Sequence, residues 1–152
     1  MIHKLIDHAT WANGQFLHFI AGQGWQEHPG RLFSHVVLAT DVWIRRTHGQ
    51  APDRVRATRF LGPDQLENMI AEQAEALHLL MRTKAETMVH YKRFTGEAGS
   101  DTVGDIVTHI MTHGCHHRGQ IAFWFARRSI KPPNCDFIDY CRHLDRVASA
   151  AR

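Results

Sequence analysis

The chain has 152 residues, of which 43% are hydrophobic and 22% charged, so we predict one globular domain over residues 1–152. Its net charge is only +3 and its lysines and arginines are scattered. No nucleic-acid partner is therefore predicted, because tracking phosphates requires a basic stripe. Polar residues interrupt the first twenty positions and no apolar stretch could span a bilayer, so we expect no signal peptide, no membrane partner and a cytoplasmic location.

Two amphipathic helices are predicted at the start of the chain. The first covers residues 2–21, where apolar side chains recur at helical spacing, and it ends at Gly22. Residues 25–30 are predicted to form a loop, and the second helix runs over residues 31–48. Gly49 ends this helix, and a polar connection follows it.

The third helix is predicted to begin after Gly62, with a proline in its first turn, and to end near Val89. Residues 90–95 lack a clean alternation and are predicted to form an extended connection or a short strand. A loop rich in turn residues should follow over residues 96–100.

The fourth helix is predicted to start at Asp101 or Thr102, either of which can cap it, and to run to about Ser129. Two prolines end it, and residues 136–148 form a short fifth helix. Four long amphipathic helices and one short one predict an all-α fold, a four-helix bundle with a short C-terminal fifth helix.

Histidine is the unusual residue, with thirteen copies. On the predicted fourth helix, His109, His113 and His117 recur at every fourth position, and His116 and Gln120 form a second pair with this spacing. Residues four apart share a helix face, so two imidazoles there can face a common ion. With His109 at 0°, the apolar side of this helix is centred near ~110°, His113 lies at ~40° and His117 at ~80°. The helical wheel thus favours His113 and His117 as the inward pair.

The second helix offers a third imidazole. His35 lies at the edge of an apolar stripe, roughly 70° from its centre, where it can reach the same ion as His113 and His117. Three neutral imidazoles suit zinc, nickel, iron or cobalt. Such a site leaves a coordination position open for water or substrate, which is typical of catalytic metal sites.

Other interpretations of the same residues remain open. The pair at positions 113 and 117 could be two ordinary histidines in a histidine-rich chain, and Gly114 and Gly119 beside it indicate either a close helix contact or room for a ligand. A di-iron bundle needs two Glu-x-x-His motifs, and only residues 75–78 form one. Cys115 lies away from the apolar side, so a cysteine nucleophile is not favoured.

Four segments resemble the DinB/YfiT-like family of metalloenzymes. Residues 113–120, HGCHHRGQ, resemble its H-G-x-H-H-R-G-Q signature. Residues 11–13, WAN, resemble its N-terminal W-A-N, and residues 35–43 resemble the H-x-x-x-A-x-[DE]-x-W pattern of its second helix. Residues 132–140 are similar to its C-terminal tail.

The resemblance implies an up-down-down-up four-helix bundle, often a homodimer, with one metal held by three histidines. These map to His35, His113 and His117, in agreement with the helical wheel. The usual metal is nickel or zinc. Some relatives are S-transferases or isomerases that use a low-molecular-weight thiol, and the small-molecule substrate here stays open.

Further residues are candidates near this site. Gln120 is the candidate catalytic residue, because it follows His117 by three positions and could contact a metal-bound water or a substrate; a polar residue at a helix interface is the alternative. Asn13 and Asp41 are candidate acceptors for the outer N–H of a metal-bound imidazole. Arg118 lies about 100° from His117 on the wheel, which favours a structural salt bridge or a dimer contact.

Three functions are consistent with these patterns. The first is a metal-dependent enzyme, either a thiol-dependent S-transferase or a hydrolase. The second is a non-catalytic metal-binding or stress-response protein, which a fourth protein ligand such as His109 would favour. The third is an interaction bundle without metal.

Overall fold

A computed structural model describes residues 1–25, 27–51 and 53–151. Within these residues the chain forms six helices and one two-stranded antiparallel sheet. In chain order the elements are α1 (Ile2–Gly22), α2 (Glu27–Thr47), α3 (Arg54–Ala57), α4 (Pro63–Lys84), β1 (Met88–Lys92), β2 (Ala98–Thr102), α5 (Val103–Ala126) and α6 (Phe137–Ala150).

The four long helices α1, α2, α4 and α5 form the bundle around two clusters of buried side chains. The first cluster joins the C-terminal halves of α1 and α5 to the N-terminal halves of α2 and α4, and includes Phe16, Ile20, Phe33, Val37, Leu66, Ile70, Ile121 and Phe125. The second joins the opposite halves of α1, α4 and α5, and includes Ile6, Leu77, Leu80, Val103, Ile106 and Ile110. Helices α1 and α5 therefore run one way and α2 and α4 the other, so the predicted up-down-down-up bundle is confirmed.

Helix ends in this bundle have identifiable local causes. Gly24 follows α1 with a φ of +91°, a backbone conformation that only glycine adopts at little cost. Pro63 opens α4, where its missing N–H leaves no helical bond unmade. The side chain of Thr102 caps α5 by accepting a hydrogen bond from the backbone N–H of Asp105 at 3.1 Å.

Two predicted helix boundaries were wrong. Helix α2 begins at Glu27 rather than at residue 31, because Pro29 is compatible with a first helical turn. The Glu27 carboxylate also pairs with Arg31 one turn later, at 2.9 Å. Helix α4 ends at Lys84, and Val89 instead belongs to β1.

The segment between α4 and α5 is a β-hairpin. Strand β1 pairs with β2 so that Val89 lies opposite Asp101 and Tyr91 opposite Gly99. The predicted extended segment at residues 90–95 overlaps β1 only in part. The predicted loop at residues 96–100 was wrong for residues 98–100, which belong to β2. A Cβ at Gly99 would lie 2.6 Å from the Tyr91 ring, so glycine is required for this close approach.

The ends of the chain follow the predicted pattern more closely. Helix α5 ends at Ala126, three residues before the predicted Ser129, and α6 confirms the predicted fifth helix. The short helix α3 lies in the polar connection predicted to follow Gly49. Among the helices described, none combines the length and apolar character that crossing a membrane requires.

Candidate metal centre

Contact between α2 and α5 brings the three predicted ligands together. His35 precedes the buried residue Val36 on α2. On the facing side of α5, a Cβ placed on Gly114 would lie 3.7 Å from Val36. This close packing places His35 opposite His113 and His117 across the helix interface.

The three imidazoles form one compact group. One ring nitrogen from each of His35, His113 and His117 lies within 4.8 Å of the others, and no other set of histidine, cysteine or carboxylate ligands in the described chain is this close. The Nε2 atoms of His113 and His117 are 3.1 Å apart. The ring of His35 is centred 5.2 Å from that of His113 and 4.9 Å from that of His117.

Gln120 determines the orientation of His117. Its Oε1 accepts a hydrogen bond from Nδ1 of His117 at 2.7 Å, and its amide donates to Nε2 of His116 at 3.1 Å. With the proton of His117 on Nδ1, its Nε2 lone pair faces His113. This is the arrangement in which an outer acceptor fixes the tautomer of a metal ligand.

Desolvation and mutual repulsion favour the uncharged form of His35 and His113. Desolvation, followed by the neighbouring charge of His117, lowers the pKa of His113 to about 4. Desolvation also lowers the pKa of His35, with His117 again adding to the effect. Near neutral pH both rings are therefore neutral and offer lone pairs, the form in which imidazole binds a metal.

Comparison with known proteins identifies the family. The DinB family model matches residues 29–145 of the chain. The chain belongs to the DinB family. A search of the curated proteins finds no match. All three histidines of the cluster lie inside the DinB-matched region, whereas the whole of α1 precedes it.

The two residues predicted to accept hydrogen bonds from the outer N–H groups of the three clustered histidines have other partners. Asn13 accepts a hydrogen bond from Nη1 of Arg118 at 2.8 Å. Asp41 pairs with Arg45 at 2.9 Å and with Arg56 at 3.3 Å. These predictions were wrong because both carboxamide and carboxylate have nearby guanidinium partners, which bind oxygen acceptors strongly.

Arg118 is buried, and its structural role differs from the predicted salt bridge. Its partner is the neutral Asn13 on α1, and burial lowers its pKa. A Cβ on Gly114 would lie 3.0 Å from its Nη1, so this glycine makes room for the guanidinium. Gly119 has open space instead, with nothing within 4 Å of a Cβ.

The competing sites predicted from sequence stay apart from the cluster. The His109 ring lies 5.5 Å from that of His113 but packs against Trp43, and it is not among the grouped ligands. His78, the histidine of the Glu-x-x-His motif, bonds to His3 and Asp7. Cys115 is exposed on α5.

Two open grooves, which the sequence patterns did not predict, flank the DinB histidine cluster along α5. One has a volume of about 1090 Å³ and includes His116 and Gln120. The other has a volume of about 550 Å³ and includes Trp43 and His109. The sequence signal that could have indicated the larger groove is Phe123. It is an apolar residue at an outward position of α5, where it is 64% exposed.

Proposed function

We propose that this DinB-family chain is a metal-dependent enzyme that holds one divalent ion through His35, His113 and His117. The observation that supports this proposal is the cluster of three ring nitrogens within 4.8 Å of one another, with no fourth protein ligand in the described residues. Sites closed by four protein ligands are generally structural, whereas three ligands leave room for a reactant.

The donor set fits a divalent transition metal. All three donors are imidazoles, which suit nickel and zinc best here, with iron or cobalt as further candidates. The pKa of His113 is lowered to about 4, so binding a cation at neutral pH displaces few protons from this ring. When bound, the ion would supply Lewis acidity, which polarises a coordinated group and lowers its pKa.

The protein groups around the cluster favour thiol transfer over hydrolysis. Hydrolysis benefits from a carboxylate as general base, and none is hydrogen-bonded to the three histidines or to Gln120 in the described chain. A thiol, in contrast, loses its proton readily once a cation lowers its pKa. We therefore propose a low-molecular-weight thiol as co-substrate, in line with the family resemblance.

The quaternary structure and the location are also part of the proposal. The family resemblance supports a homodimer, and the sequence pattern supports a cytoplasmic protein. Light scattering on the purified protein at several concentrations tests the first point, because a dimer has twice the mass of the 17.4 kDa chain.

Metal content tests the central proposal. Untagged protein purified without added metal is measured by elemental mass spectrometry, beside the His35→Ala variant and the His113→Ala/His117→Ala variant. The matched control is His109→Ala, one helical turn away. We expect about one equivalent of metal in the native protein and the control, and loss in the other two. Equal metal content in all four proteins, or none even after metal is added, would contradict the proposal.

A further inference from the structure

The larger groove begins at the partner of a proposed metal ligand. Gln120, which bonds His117, lies in its wall beside His116. From there the groove follows α5 to Arg127 and Arg128 and is bordered by the start of α2. Arg127 follows Gln120 by seven positions, which corresponds to a helical rise of about 10 Å.

The groove is lined by basic residues without acidic ones. Its wall carries Arg127, Arg128, His28 and His116, and no aspartate or glutamate is part of it. None of the ion pairs in the described chain involves either arginine. These charges therefore favour an anion, since guanidinium groups bind carboxylates with two parallel hydrogen bonds.

Arg128 is held in place at the far end of the groove. Its guanidinium lies 3.6 Å from the centre of the Trp124 ring, and its Nη1 donates to the Trp124 carbonyl at 2.9 Å. The His28 ring also stacks against Trp124, with the two ring centres 5.9 Å apart. A fixed cation loses less entropy on binding an anion than a mobile one.

The middle of the groove is apolar and open. Phe123 is 64% exposed there, although large aromatic side chains are usually buried unless they contact a partner. Gly119, one turn before it, leaves open space where a side chain would project. A flat apolar group can therefore lie between Gln120 and the arginines.

The smaller groove on the other side of the cluster does not share this character. Its wall contains Asp101 and Asp105 beside Arg46 and Arg93, so its charges are mixed. Asp101 is already engaged by the Tyr91 hydroxyl. Of the two grooves beside the cluster, the larger one therefore favours an anionic ligand.

We propose that the larger groove binds the substrate as an organic anion of about 10 Å, with its carboxylate at Arg127 and Arg128, its apolar body on Phe123 and its reactive end toward Gln120. The assignment of this ligand as the substrate depends on the proposed function of the histidine cluster. The binding of the anion itself depends only on the groove.

Calorimetric titration with 2-naphthoate and with its neutral analogue 2-naphthamide tests the proposal. We expect the metal-loaded protein to bind the acid at least about tenfold more tightly than the amide, the effect of one charged hydrogen-bonded contact. Arg127→Gln/Arg128→Gln should remove this preference and retain metal. Gly119→Leu should weaken the binding of both ligands, because the leucine side chain fills the groove. Arg82→Gln, an exposed substitution near the opposite end of the bundle, should change neither affinity.

The variants separate this proposal from that of the metal site. If His113→Ala/His117→Ala lacks metal but still prefers the acid, the carboxylate lies at the arginines as proposed. If neither the native protein nor any variant holds metal and the preference for the acid over the amide persists, the proposed function fails and the anion groove stands. Equal affinity for acid and amide, or a preference lost only in the histidine variant, would overturn the groove assignment.

Discussion

At the scale of single residues, Gln120 is a positioning residue for His117. Its Oε1 accepts the Nδ1 proton of His117 at 2.7 Å, and such outer partners typically change metal affinity 10–100-fold when removed. We therefore expect about a tenfold to hundredfold loss of metal affinity in Gln120→Ala. Gln120→Glu should retain the affinity, because a carboxylate accepts the same proton.

Competition with a chromophoric chelator measures this difference. The control is Gln73→Ala, which removes a glutamine that donates to the backbone carbonyl of Val37 and to none of the three histidines. If Gln120→Ala binds metal as tightly as the native protein does, the hydrogen bond does not position His117.

His113 gives the metal-free protein a dependence on pH. Its pKa is about 4 in the folded chain and 6.5 without the surrounding structure, so between these values the unfolded chain holds the extra proton. The free energy of unfolding should therefore fall as the pH drops from 6.5 to 4. Burial lowers the pKa of His35 too, so it acts in the same direction.

Urea unfolding in the presence of a chelator, at several pH values across this window, tests the effect. His113→Asn should lose less stability than the native protein over the same interval, because its side chain does not titrate. His18→Asn, an exposed substitution on α1, is the control. If the free energy of unfolding of His113→Asn depends on pH as steeply as that of the native protein, His113 is not the group responsible.

At the scale of elements, Arg118 and Asn13 join α5 to α1. The guanidinium is buried and its Nη1 donates to Asn13 at 2.8 Å, and hydrogen bonds to charged groups are worth about 1.5–3 kcal/mol. We expect Asn13→Ala to lower the free energy of unfolding by about 2 kcal/mol, measured by urea unfolding. Asn13→Asp should restore the stability, because its carboxylate accepts the same bond. Equal stability of all three proteins would show that the bond contributes nothing.

The helices were predictable where periodicity extends over many residues, and the boundaries were not. Apolar spacing identified all four bundle helices, since each needs one buried stripe. The start of α2 was predicted four residues late, at residue 31, although Pro29 fits the first helical turn. The hairpin was only partly predicted, since β2 has the sequence AGSDT, in which Thr102 is the one β-branched residue and none is aromatic, whereas strands are usually rich in both.

Two of the three proposed metal ligands, His113 and His117, were predictable from spacing, and the hydrogen-bond partners of nearby residues were not. Positions 113 and 117 share a helix face whatever the tertiary structure. The role of Asn13 depends instead on which side chain of α5 packs against α1. The buried Arg118 does so, and its guanidinium donates to Asn13. The basic groove likewise combines residues from α2 and α5 that are far apart in sequence.

At the scale of the whole molecule, the cluster joins two helices that run in opposite directions. His35 belongs to α2, and His113 and His117 belong to α5. In an unfolded chain these segments are separated by a long loop, so the complete ligand set exists only in the folded bundle. Binding of the proposed metal should therefore be coupled to folding.

This coupling predicts a stability that depends on metal concentration. A free ion at about 100 times its dissociation constant should raise the free energy of unfolding by about 2.7 kcal/mol, equivalent to about 5–10 °C in melting temperature for a domain of this size. Thermal unfolding of the chelator-treated protein with increasing nickel or zinc measures it. His35→Ala should lose the increase although it retains the pair on α5, because that pair can form on an isolated helix and so binds the unfolded chain as well. His18→Ala should keep it. An equal increase in His35→Ala would mean that the ion binds α5 alone and that α2 contributes nothing to the centre.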